Sequence, residues 1–146
     1  MTGPSLHVGI DVGGTKCLGV ALDAEGNLLR EDRRPTPRGT GSVDRLIDTL
    51  LELAGSLGQY DSLGVGVPGL VTRAGVLRAA PNLDGVADFD VAGLLGERLG
   101  HRVHVDNDAT CAAVSEWLYG AGKGATDMVL VTLGTGIGGG LVAGGK

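Results

Sequence analysis

A chain of 146 residues, 42% hydrophobic and 20% charged, can bury a core and is long enough for one domain and part of another. Its net charge of −5 argues against a nucleic-acid surface, and its 3% aromatic content argues against base-stacking platforms. No apolar run reaches about 18 residues and no basic-then-apolar leader opens the chain, so a soluble, cytoplasmic protein without a membrane span is expected.

The apolar run Leu6–Ile10 predicts a buried strand, and Asp11-Val-Gly-Gly-Thr15-Lys16 follows it. A second apolar run, Cys17–Leu22, completes a hairpin around Gly13 and Gly14. Residues 27–34 predict a third strand, ended by Pro35-Thr-Pro37. Ser42 is the expected N-cap of a helix whose apolar positions are Val43, Leu46, Ile47, Leu50, Leu51, Ala54 and Leu57, with Gly58 closing it. Ser62–Val67 predicts a short buried strand, halted by Pro68-Gly69. Leu70–Ala80 predicts a small hairpin turning at Arg73-Ala-Gly75, followed by the polar break Pro81-Asn82-Leu83. Asp90 should cap a short helix that ends at Gly100. Arg102–Val105 predicts a strand, and Asp106-Asn107-Asp108 leads into a helix over Ala109–Tyr119. Residues 120–125 read as a loop and hinge. Asp127–Leu133 and Leu141–Gly145 then form a second strand, turn, strand unit around the glycines from Gly134 to Gly140.

Cys17 and Cys111 lie far apart without C-x-x-C spacing, so buried free thiols in a reducing compartment are expected and neither a zinc site nor a redox pair. His7, His101 and His104 have no ligand spacing and read as structural or solvated.

The repeat of the glycine hairpin carries the functional reading. Laying Gly134 on Gly13 also lays Val129 on Val8 and Gly140 on Gly19. Glycine turns of positive φ would let backbone N–H groups approach an anion, and two facing hairpins would grip the phosphates of one nucleotide. Asp11 at a strand end is suited to Mg²⁺, and Thr15 and Lys16 to phosphate oxygens. Gly134-Thr-Gly-Ile-Gly-Gly139 matches the dinucleotide pattern G-x-G-x-x-G, but a strand follows it where a helix is required. A Walker A loop fails as well, because Lys123 is followed by Gly124. One helix cap needs one residue of the run Asp106-Asn107-Asp108, which leaves Asp108 as a proton acceptor for phosphoryl transfer to a hydroxyl. Asn82 is suited to hydrogen bonding with a polyol.

Together these motifs resemble the ROK family of sugar kinases and regulators. The carrying residues are Asp11-x-Gly-Gly-Thr-Lys16, Gly66-Val-Pro-Gly69, Pro81-Asn-Leu83, Asp106-Asn-Asp-Ala109 and Gly134-Thr-Gly-Ile-Gly-Gly139. The resemblance implies an α/β, actin-like ATPase (ribonuclease H-like) fold, a mixed sheet with glycine-hairpin phosphate loops and flanking helices. It implies an N-terminal domain over residues 1–120 and the start of a truncated second domain over residues 121–146. Asp108 would be the catalytic base, and Gly69, Asn82, Asn107 and Asp108 would contact the sugar. Asp11, Gly13, Gly14, Thr15, Lys16, Gly134, Thr135, Gly136 and Gly138 would face the ATP phosphates, with Asp11 near Mg²⁺. The family's Glu-x-x-His sugar group, its zinc motif and most of its adenosine pocket would lie beyond Lys146. The implied activity is ATP-dependent phosphorylation of a hexose, glucose first, by a homo-oligomer in the full-length protein, with the isolated chain inactive. A sugar-responsive transcription regulator and a sugar- or nucleotide-binding fragment without activity are the alternatives.

Overall fold

The computed structural model describes residues 5–80, 86–134 and 136–146. Strands β1 (Leu6–Val12), β2 (Lys16–Asp23) and β3 (Leu28–Pro35) form an antiparallel meander. Helix α1 (Ser42–Ser56) then returns the chain to β4 (Ser62–Val67), which lies parallel to β1. Strands β5 (Leu70–Val71), β6 (Val76–Ala79) and β7 (Phe89–Asp90) make a small separate sheet. Helix α2 (Val91–Leu99) leads to β8 (Val103–Asn107), parallel to β4. The main sheet therefore runs β3-β2-β1-β4-β8 and is mixed. Helix α3 (Asp108–Tyr119) follows at once, and β9 (Met128–Leu133) and β10 (Ile137–Val142) form a two-stranded hairpin packed on α3.

The core lies between α1 and one face of the main sheet. Leu46, Leu50, Leu53 and Leu57 repeat at helical spacing and are fully buried with Val8, Ile10, Val12, Cys17 and Ala21. Each of these leucine, valine and isoleucine side chains contributes about 1.5–3 kcal/mol on burial. Gly19 allows this approach, because a Cβ there would stand 2.9 Å from both Leu53 and Leu57. The Arg30 guanidinium donates to the Leu57 carbonyl at 2.8 Å and satisfies an orphan acceptor at the end of α1.

Several local expectations are corrected. Gly41, in the left-handed region at φ 71°, holds the N-cap of α1, and Ser42 is the first helical residue, buried in the first turn. Among the described turn residues, Gly13, Gly14, Gly134 and Gly136 all lack positive φ, so left-handed backbone is not why glycine stands there. The two hairpins also differ in turn length. Val12 pairs with Cys17 across four residues, whereas Leu133 pairs with Ile137 across three. Past the turn the overlay therefore slips by one: Gly19 faces Ile10, and the residue facing Val131 is Gly139 rather than Gly140. Cys111 is exposed, since it lies on the side of α3 that borders an open part of the sheet. The loop after α3 is tied back to it: Trp117 Nε1 donates to the Ala125 carbonyl at 2.7 Å, and the Glu116 carboxylate accepts from the Ala121 N–H at 2.9 Å. Among the described residues no helix is long and apolar enough to cross a membrane.

Candidate active site

The strand register assembles the site. Asp11 on β1, Gly66 on β4 and Asp106 on β8 are successive partners across three strands. Two carboxylates therefore stand on one sheet face, roughly 10 Å apart by strand spacing. Asp106 is the residue that sequence reasoning missed. It lines both cavities of the site, and pairing β8 to β1 through β4 is what exposes its place. One cavity, of about 720 Å³, lies over Gly9, Asp11, Gly64 and Gly66 on the face opposite α1. The other, of about 820 Å³, lies between the two hairpins and the start of α3.

Eight of the expected site residues meet in that second cavity: Gly13, Gly14, Gly69, Asn107, Asp108, Gly134, Gly136 and Gly138. Asp11 opens on the first cavity, which Asp108 also borders. Thr15 and Lys16 are exposed and line neither. Asn82 and Thr135 lie outside the described residues.

The first glycine turn is held from behind by groups the sequence did not single out. The Thr36 hydroxyl donates to the Gly13 carbonyl at 2.7 Å, and the Thr36 N–H donates to the Thr15 carbonyl at 3.0 Å. Arg38 donates to the Gly14 carbonyl at 2.8 Å. A trans peptide points its C=O and the following N–H in opposite directions, so the N–H groups of Gly14 and Thr15 turn away from these donors. A turn with its carbonyls tied and its amides outward is suited to an anion. In the second turn, a Cβ at Gly134 or Gly136 would meet nothing within 4 Å, so the space beside the backbone is open.

Asp108 starts α3, and Asn107 is the N-cap. Asp108 Oδ1 accepts from the Ala109 N–H at 2.8 Å and from Asn107 Nδ2 at 3.0 Å. Asp11 is open to solvent, yet partial desolvation against the sheet, then the nearby Asp108 carboxylate, push its pKa above the usual 3.8. A divalent cation would relieve that repulsion. No group of three or more ligating His, Cys, Asp or Glu side chains occurs among the described residues. A cation here would rest on Asp11, with phosphate oxygens and water completing its shell, which is how Mg²⁺ is commonly held.

The model of the ROK family matches residues 7–146, nearly the whole chain. The chain belongs to the ROK family. It is 36% identical to a glucokinase of Streptomyces coelicolor over 97% of its own length and 44% of the relative's. It is 38% identical to an N-acetyl-D-glucosamine kinase of Escherichia coli, again over 97% of this chain and 47% of that one. A crystal structure of a Streptomyces griseus ROK glucokinase in complex with glucose and AMPPNP superposes with a TM-score of 0.88 at 32% identity, covering 97% of this chain and 46% of the other. The fold is thus that of the ROK kinases, with their actin-like α/β architecture. The chain spans less than half the length of these ROK relatives.

Proposed function

We propose that this chain is the N-terminal part of an ATP-dependent hexose kinase, with glucose as its first substrate. The observation that carries the reading is the single cavity in which Asp108 faces glycine turns from both hairpins. Phosphoryl transfer needs a hydroxyl nucleophile, a nearby proton acceptor and donors for the phosphate oxygens, held in line. Asp108 accepts the proton of the sugar 6-hydroxyl as that oxygen takes the phosphoryl group. Gly13, Gly14, Gly134, Gly136 and Gly138 let backbone approach the phosphates. Asp11 would hold Mg²⁺, which when bound neutralises phosphate charge. Gly69, Asn82 and Asn107 contribute to the sugar side. The names of the relatives, glucokinase and N-acetyl-D-glucosamine kinase, support a hexose acceptor. In this division of labour residues 1–120 carry the base and the sugar contacts, and residues 121–146 begin the part that completes the nucleotide site.

Asp108→Asn in the full-length protein tests this directly. The substitution keeps shape and most hydrogen bonding but removes the proton acceptor. We expect kcat to fall by ~10²–10⁴-fold with sugar affinity little changed. Near-normal turnover on a hexose panel would remove Asp108 from the mechanism.

A further inference from the structure

We propose that Thr36 is a positioning residue for the nucleotide, acting through the first glycine turn; this rests on reading that turn as a phosphate site. Thr36 follows Pro35, the last residue of β3 to pair with β2. Its N–H donates to the Thr15 carbonyl at 3.0 Å, and its hydroxyl donates to the Gly13 carbonyl at 2.7 Å. A hydroxyl has a single proton, so toward Cys17 Sγ, at 3.6 Å, the same oxygen can only accept. Thr36 is 6% exposed, which leaves water little access to take its place.

The Gly13 carbonyl shares its peptide with the Gly14 N–H. Glycine on both sides leaves that peptide without a Cβ to restrain its rotation. Its orientation therefore depends on what holds the carbonyl, and a carbonyl held back holds the N–H forward. Gly14 lines the cavity between the hairpins, and among the described residues neither its N–H nor that of Thr15 donates to a protein group. Thr36 is itself held in place. It precedes Pro37, which biases it to extended backbone. The next residues are pinned to α1, where the Arg45 guanidinium donates to the Arg38 and Thr40 carbonyls, each at 2.7 Å. The buried hydroxyl thus connects the α1 side of the sheet to the amides that face the cavity.

The test uses the full-length protein, with ATP and glucose as probes. Thr36→Val keeps the shape and loses the hydroxyl, whereas Thr36→Ser keeps the hydroxyl and loses only the methyl group. Thr36→Ala removes the hydroxyl without setting a methyl against the Gly13 carbonyl, and it carries the test if the valine variant folds poorly. For the variants without a hydroxyl we expect kcat/KM for ATP to fall about 10- to 100-fold, as phosphates held out of line do. ATP Kd by calorimetry should rise, and glucose Kd should stay at the parent value. Thr36→Ser should behave as the parent. Equal weakening of ATP and glucose would mean a general loosening of the fold and would overturn the proposal. A serine variant as impaired as the valine one would overturn it too, since the methyl group and not the hydroxyl would then matter. So would parental ATP kinetics in a folded variant without the hydroxyl. A parent protein that neither binds ATP nor phosphorylates a hexose would instead remove the kinase reading on which the proposal rests.

Discussion

The two glycine hairpins share a local pattern and sit in opposite surroundings. The first is the middle of a five-stranded sheet, and its residues Val8, Ile10, Val12, Cys17 and Ala21 are sealed under α1. The second is a sheet of two strands with one helix behind it. Its other face carries Val129, Val131, Leu133, Ile137 and Leu141, and Leu133 and Ile137 are 81% and 82% exposed. Two strands alone are marginal in water, so the contact with α3 is what supports the second hairpin. That contact is made of small residues. Gly138 and Gly140 lie against Ala109 and Ala113, close enough that a Cβ on Gly140 would collide with the Ala113 side chain. Glycine therefore serves different ends in the two hairpins. In the first it makes room for leucines, and in the second it lets backbone lie on a helix.

The largest effect that follows is on that seam. Gly140→Val should force the hairpin off α3 and destabilise the chain by about 1–3 kcal/mol, as overpacking does. The same substitution at Gly134, where nothing lies within 4 Å, should shift the denaturant midpoint little. Equal midpoints for the two variants would show that the helix contact is not what holds the hairpin.

A smaller effect separates the turns from the strands. Gly136 has open space around it and no positive φ, so Gly136→Val should leave stability within about 0.5 kcal/mol. The cavity between the hairpins would nonetheless be narrowed where phosphate approaches. In the full-length protein we expect nucleotide affinity to fall about tenfold, or ~1.4 kcal/mol, with sugar affinity retained. Unchanged nucleotide affinity in a folded variant would make the turn purely structural.

Much of this was legible in the sequence because the signals are local. The periodic leucines of α1, the Asp90 cap of α2 and the two glycine hairpins follow from spacing and turn chemistry. The candidate site was legible wherever a residue sits at the end of an element, as Asp11, Asn107 and Asp108 do. What stayed hidden depends on register and on distant partners. Asp106 joins the site only because β8 pairs with β4 and β4 with β1. Thr36 and Arg38 support the first turn from a segment whose prolines marked it only as a break. The one-residue slip between the hairpins was invisible because glycines stand at several adjacent positions, so a sequence overlay matches in either register.

The smallest expected effect concerns a charge that one hairpin has and the other lacks. In the matched strands, Asp11 of β1 corresponds to Thr132 of β9, which faces Gly138 as Asp11 faces Leu18. The pKa of Asp11 is raised first by partial desolvation and then by Asp108. A carboxylate whose pKa is raised on folding favours the fold in its protonated form. Its stabilising contribution is present below the ordinary value of 3.8 and is lost as pH rises through the raised value. At neutral pH the charged group therefore costs stability, and solvent around it keeps that cost small. Asp11→Asn should melt slightly higher than the parent at pH 7, and the two should converge as pH falls below 3.8. A lower melting point for the variant at pH 7 would mean that Asp11 is held by favourable contacts and that its repulsion with Asp108 is unimportant. A higher one, together with lost turnover in the full-length protein, would mark a charge kept at a cost to the fold for the sake of a bound cation.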